Sequence, residues 1–265
     1  MAQTSVASAA AAVLRAAQPR DKIFAARTAV RDWRFGRLAH VFDEAMPDRP
    51  ARPDRPELLP PSQMPRRGKG GSERGRIAML HALAHIEFVA IDLAFDMVGR
   101  FGDAFPSEFT DDWMRVGAEE AMHFALLDRR LASLGSGYGA LPAHDGLWES
   151  AEATAHDPLA RLAIVPMVLE ARGLDVTPAT IERFERAGDS ASARILARIM
   201  DDEVRHVAFG VKWFESRCKT LDIAPHQTWQ TLVERYFGGR LKPPFNDSAR
   251  RQAGLTRDFY MTLAR

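Results

Sequence analysis

Two stretches of the chain set a glutamate three residues before a histidine. AEEAMHFALLD, which begins at residue 118, holds Glu120 and His123, and MDDEVRHVAFG, residues 200–210, holds Glu203 and His206. On a helix, residues three apart share a face, so each pair can reach a single point. Carboxylate oxygen and imidazole nitrogen are hard-to-borderline donors of the kind that iron or manganese accepts. Metal binding is the chemistry these residues spell, and they spell it twice.

An offset of 83 residues superimposes more than those two pairs: Glu87 falls on Glu170, Asp92 on Asp175, and Glu119 on Asp202. The company of the two lone glutamates is apolar, HIEFVAIDLAF around Glu87 and LAIVPMVLEARGL around Glu170, which implies burial. Buried carboxylates without partners are unfavourable, and two metal cations would offset that. Four carboxylates and two imidazoles then supply six protein ligands: Glu120 and Glu203 placed to bridge, Glu87 and Glu170 as terminal ligands, and His123 and His206 one to each metal. Glu119 and Asp202 either orient the imidazole of the opposite pair or form surface salt bridges. Asp92 and Asp175 lie five residues past a ligand, well round the helix, and are expected to pair with arginine or cap a neighbour. His81 and His85 share a face from which Glu87 is offset, and a polar contact between helices accounts for them better than a ligand role does.

The elements that must position these residues are helical. Apolar spacing of helical period runs through 73–100, 107–134, 158–174 and 190–217, with Pro106-Ser107 and Asp157-Pro158 as starts and Gly135 as a stop. A shorter helix is expected at 178–187, begun by Thr177-Pro178, and two more at 225–237 and 247–263; residues 10–40 also carry helical spacing. Pro166, four before Glu170, predicts a kink or an extra-residue bulge, and Gly117 predicts close packing. Strand signals are almost absent. Residues 46–72 are dense in Pro, Arg and Gly and read as an extended connector, while 135–157 is long enough to carry the third helix to the far end of a bundle. The expected organisation is an N-terminal helical region with the connector (1–72), a helical core (73–220) and a C-terminal helical extension (221–265).

Bulk composition narrows the partners. The formal net charge is +1 in 265 residues, so no global field draws the chain to nucleic acid or membrane. Cys218 is the single cysteine, which rules out a disulfide within the chain and a thiolate cluster, and it reads as a small buried hydrophobe. The N-terminus lacks a basic start followed by a long apolar run, and no run of about 18 apolar residues occurs, so the reading is a soluble cytoplasmic protein. PRRGKGGSERGR, residues 65–76, is the local exception: Arg66, Arg67 and Lys69 could contact an anion, with a solvated loop the plainer account. PAHDGLWE, residues 142–149, either lines a pocket through His144 or is a turn packed by Trp148.

Several motifs together, RIAMLHALAHIEFVAIDLAFD, EEAMHFALLDRRL, YGALPAHDGLWE, EARGLDVTP, DDEVRHVAFGVKWF and KPPFN, resemble a bacterial ferritin-like family labelled as a domain of unknown function. The resemblance covers nearly the whole chain. It implies a ferritin-like four-helix bundle with a long crossover and a di-metal site at Glu87, Glu120, His123, Glu170, Glu203 and His206. More distantly the layout is similar to di-iron hydroxylases acting on modified transfer RNA or on quinone precursors. The expectation is an oxygen-activating di-iron oxidoreductase, a hydroxylase or oxidase, with two iron ions (or manganese), a separate electron donor, and extensions suited to covering a substrate pocket or forming a homodimer. Ferroxidase storage, a dimanganese catalase and a nucleic-acid or protein-binding module that keeps a structural metal are the other readings.

Overall fold

The computed structural model describes residues 4–65, 72–237 and 240–264. The described residues are mostly helical, and the chain divides into two compact units, Met1–Trp148 and Glu149–Arg265.

The first unit is built on two long antiparallel-capable helices, α3 (Glu73–Phe101) and α4 (Ser107–Ser133), which make its most extensive packing. Ser72 starts α3: its hydroxyl accepts the Gly75 N–H at 3.1 Å. Gly117 lets α4 approach, since a Cβ there would come to 2.6 Å of the Phe95 ring, as its place before Glu120 predicts. Two shorter helices precede them, α1 (Val6–Arg15) against α3 and α2 (Pro19–Arg34) against α4. Pro19, at the first turn of α2, divides the helical spacing of this region into two pieces. A two-residue parallel pairing, β1 (Thr4–Ser5) with β2 (Leu38–Ala39), is the one named sheet among the described residues. The apolar window of α3 is long enough to span a membrane by composition, with mean hydropathy 1.6, yet 67% of it is buried in the protein. The helix as a whole carries His81, His85, Glu87, Asp92 and Asp96, all buried.

The division falls within α5 (Gly146–Ala153), so the 135–157 connection is partly helical. In the second unit Asp157 caps α6 (Pro158–Ile164) by accepting the Leu159 N–H at 2.8 Å. α6 runs into a π-helical segment, Val165–Glu170, and then α7 (Ala171–Arg186). The extra-residue bulge expected at Pro166 is therefore present, and it ends on Glu170. Gly210 of α8 (Ser190–Thr220) accommodates it, because a Cβ at 210 would lie 2.5 Å from the Pro166 ring.

No separate helix begins at 178. α7 continues through Pro178, and the reason is local chemistry. Proline offers no N–H to the carbonyl four residues back, and that carbonyl, Leu174 O, instead accepts Asn246 Nδ2 at 3.1 Å. The chain then makes α9 (Pro225–Tyr236), α10 (Asp247–Gln252) and α11 (Arg257–Tyr260), followed by a 3-10 turn at Met261–Leu263. The single helix expected over 247–263 is thus broken, at Gly254, whose φ of 79° lies in the left-handed region.

Candidate metal centre

In the first unit α3 supplies Glu87 and α4 supplies Glu120 and His123. All three are buried, and each offers a ligand atom within 4.8 Å of the others. His123 Nδ1 stands 3.2 Å from Glu87 Oε2 and 3.3 Å from Glu120 Oε2. Burial, and then the charge of Glu120, push the Glu87 carboxyl well above the usual carboxylate range, while His123 pulls it down.

The second unit carries the same motif. Glu170 closes the π-helical segment, and α8 supplies Glu203 and His206. His206 Nδ1 lies 3.3 Å from Glu203 Oε1, with the ring fully buried and both glutamates half-buried. Each unit therefore turns the Nδ1 edge of its histidine toward the glutamate three residues earlier. The donor set fits a divalent first-row metal: carboxylates that repel one another, beside imidazole nitrogens, are stabilised by a shared cation.

The acidic residues around the ligands are gripped by basic ones. Glu119 accepts Arg115 Nε at 3.1 Å, and Asp202 accepts Arg198 Nε at 2.9 Å and pairs also with Arg205. Asp92 is held by Lys22, from α2, and by Arg52, from the connector. Asp175 is held by Arg250, with the Asn246 N–H on its Oδ1 at 2.9 Å. The pairing with basic groups expected of these two aspartates is what the structure has. Lys22, Arg52 and Arg250 carry no signal in the sequence that would assign them, since each comes from a segment 40 or more residues away from its partner.

His81 and His85 make polar contacts rather than joining Glu87. His81 Nε2 accepts the Gly139 N–H at 3.0 Å, and His85 Nδ1 meets the Tyr138 hydroxyl at 2.9 Å. His144 lines a cavity, and Trp148 is buried in the first turn of α5. Arg66, Arg67 and Lys69 lie outside the described residues.

What these observations define is a mostly helical protein with a buried glutamate and histidine group able to hold a metal. The chain belongs to the family described as "Protein of unknown function (DUF455)", whose model matches residues 15–261. It is 42% identical over 210 residues, 77% of this chain and 73% of the other, to an uncharacterized protein of Haemophilus influenzae. No solved structure matches it.

Proposed function

We propose that the protein is a ferritin-like, non-haem di-iron carboxylate oxidoreductase of the hydroxylase or oxidase type, working in the cytoplasm. In this reading the two half-sites serve one centre, with Glu87, Glu120, His123, Glu170, Glu203 and His206 as ligands. One observation supports it above the rest: the same glutamate-to-Nδ1 separation, 3.3 Å, recurs in both units at equivalent places in the sequence repeat.

Two iron ions held there would supply the reducing equivalents for dioxygen. The residues of this chain set the conditions. Glu120 and Glu203 would be shared between the two ions, whose charge would offset both the burial and the Glu120 repulsion that raise the Glu87 carboxyl. His123 and His206, both fully buried, exclude water from the nitrogen edge that faces the carboxylates. The substrate would be a small molecule or a modified RNA base, and the electrons would come from a separate donor.

Metal content of the purified full-length protein tests the proposal. The expected result is about two iron atoms per chain, lost in Glu120→Ala and in Glu203→Ala, each variant removing a ligand from one half of the repeat. Wild-type protein that stays metal-free after anaerobic reconstitution with iron and with manganese overturns it. Manganese together with peroxide disproportionation would move the assignment to a catalase, and assembly into a closed shell of many subunits would move it to iron storage.

A further inference from the structure

A second site lies wholly within the first unit, and none of the proposed metal ligands lines it. Between the start of α3 and the segment before α5 is a cavity of about 700 Å³, in the range of small-molecule sites. Met64, Ile77, Ala78 and Leu141 give it apolar walls, and two histidines, His81 and His144, bring the polar groups.

The hydrogen bonds fix how these histidines are protonated. His81 is 1% exposed, and its Nε2 accepts two backbone N–H groups, from Gly139 at 3.0 Å and Leu141 at 3.4 Å. A nitrogen that accepts carries no proton, so the ring proton sits on Nδ1. Burial lowers the His81 pKa, which keeps the ring neutral at physiological pH. Gly139 makes the turn possible, with a φ of 95° that suits glycine and aims its N–H at the ring. His144 repeats the device: its Nδ1 accepts the Gly146 N–H at 3.3 Å, leaving the proton on Nε2. Each histidine is thus set to donate one N–H, and neither is set to accept.

We infer that this cavity is a binding site for a small apolar molecule that carries an acceptor oxygen, a carbonyl or carboxylate, received by His81 Nδ1–H and His144 Nε2–H. Glu73 and Arg74, both exposed at the rim, balance one another in charge, so the two histidine N–H groups set the preference for an acceptor. The inference does not depend on the metal reading, because none of its residues is a proposed ligand.

The test compares two probes of the same body by fluorescence anisotropy with the full-length protein: naphthoate, which has the acceptor, and methylnaphthalene, which lacks it. Naphthoate is expected to bind about tenfold or more tightly than methylnaphthalene, the yield of one net hydrogen bond to a charged acceptor. His144→Phe and His81→Phe should each remove most of that preference. Ala78→Trp fills the cavity from its wall and should weaken both probes by tenfold or more. Should the buried His81→Phe protein fail to fold by circular dichroism, His144→Phe and Ala78→Trp still decide the matter. Equal affinity for the two probes, no naphthoate binding, or wild-type affinity in Ala78→Trp overturns the site; the last would place the probe elsewhere, at the buried carboxylates for instance.

Discussion

Arg250 grips Asp175 through two parallel hydrogen bonds, Nε to Oδ1 at 2.8 Å and Nη2 to Oδ2 at 2.7 Å, with both side chains almost wholly out of water. The pair fastens α10 to α7 five residues past Glu170. In the other unit Lys22 and Arg52 do the equivalent for Asp92, five residues past Glu87. The sequence repeat thus extends beyond the ligands to the residues that tie each terminal extension to its own ligand-bearing helix.

Taking away one partner of such a buried pair leaves the other charge uncompensated. Asp175→Ala is expected to lower unfolding stability by about 3–5 kcal/mol, measured by urea denaturation. Replacing both, Asp175→Leu with Arg250→Met, should recover most of that loss. A double variant as unstable as the single one would show that the charges themselves, rather than the packing around them, hold α10 in place.

Much of this was legible in the sequence because it is local. Helix periodicity, the Ser72 and Asp157 starts and the spacing of Glu120 and His123 all depend on residues within a turn or two of one another. The bulge at Val165–Glu170 was legible for the same reason, from Pro166 alone. What the sequence did not disclose depends on partners distant along the chain. Pro178 reads as a helix start until Asn246 is seen to take the Leu174 carbonyl from 72 residues away. Lys22 is an ordinary surface-type residue in its own segment, and only the fold buries it against Asp92. The tautomers of His81 and His144 likewise depend on backbone N–H groups, which no side-chain pattern records.

Acid should destabilise the protein through His85. Burial first, and the nearby Arg52 second, lower its pKa from 6.5 to about 3. The unfolded chain takes up a proton below about pH 6.5 that the folded ring refuses, so this group's contribution is fully present above 6.5 and is lost as pH falls toward 3. At pH 5 the loss is roughly 2 kcal/mol. Urea midpoints of chelator-treated protein at pH 7 and pH 5 measure it, and His85→Gln should reduce the difference. Equal differences in wild type and variant would assign the acid sensitivity to other groups.

Cys218 should be inert in the native protein. It is fully buried at the end of α8, and burial, followed by the charge of Glu215, pushes its thiol up to about 11. Reaction requires the thiolate and access, and the fold withholds both. A chromogenic disulfide reagent at neutral pH is expected to find almost no thiol in folded protein and one per chain in urea. Stoichiometric labelling of native protein within minutes would mean that the end of α8 opens readily.

Gly210 and Gly173 should respond oppositely to the same substitution. A methyl at 210 would come within 2.5 Å of Pro166 Cβ and 2.6 Å of its Cγ, and a proline ring, tied to the backbone, cannot rotate aside. Relief has to come from shifting the π-helical segment that ends at Glu170, so Gly210→Ala is expected to destabilise by about 1–3 kcal/mol. If Glu170 ligates metal, the same variant should lose metal as well. At Gly173, on α7, an added Cβ meets nothing within 4 Å, and alanine should stabilise by about 0.5–1 kcal/mol through the backbone alone. Thermal unfolding and metal content of the two variants side by side make the comparison. A Gly210→Ala protein with wild-type stability and full metal would show that the bulge is free to move and does not fix the position of Glu170.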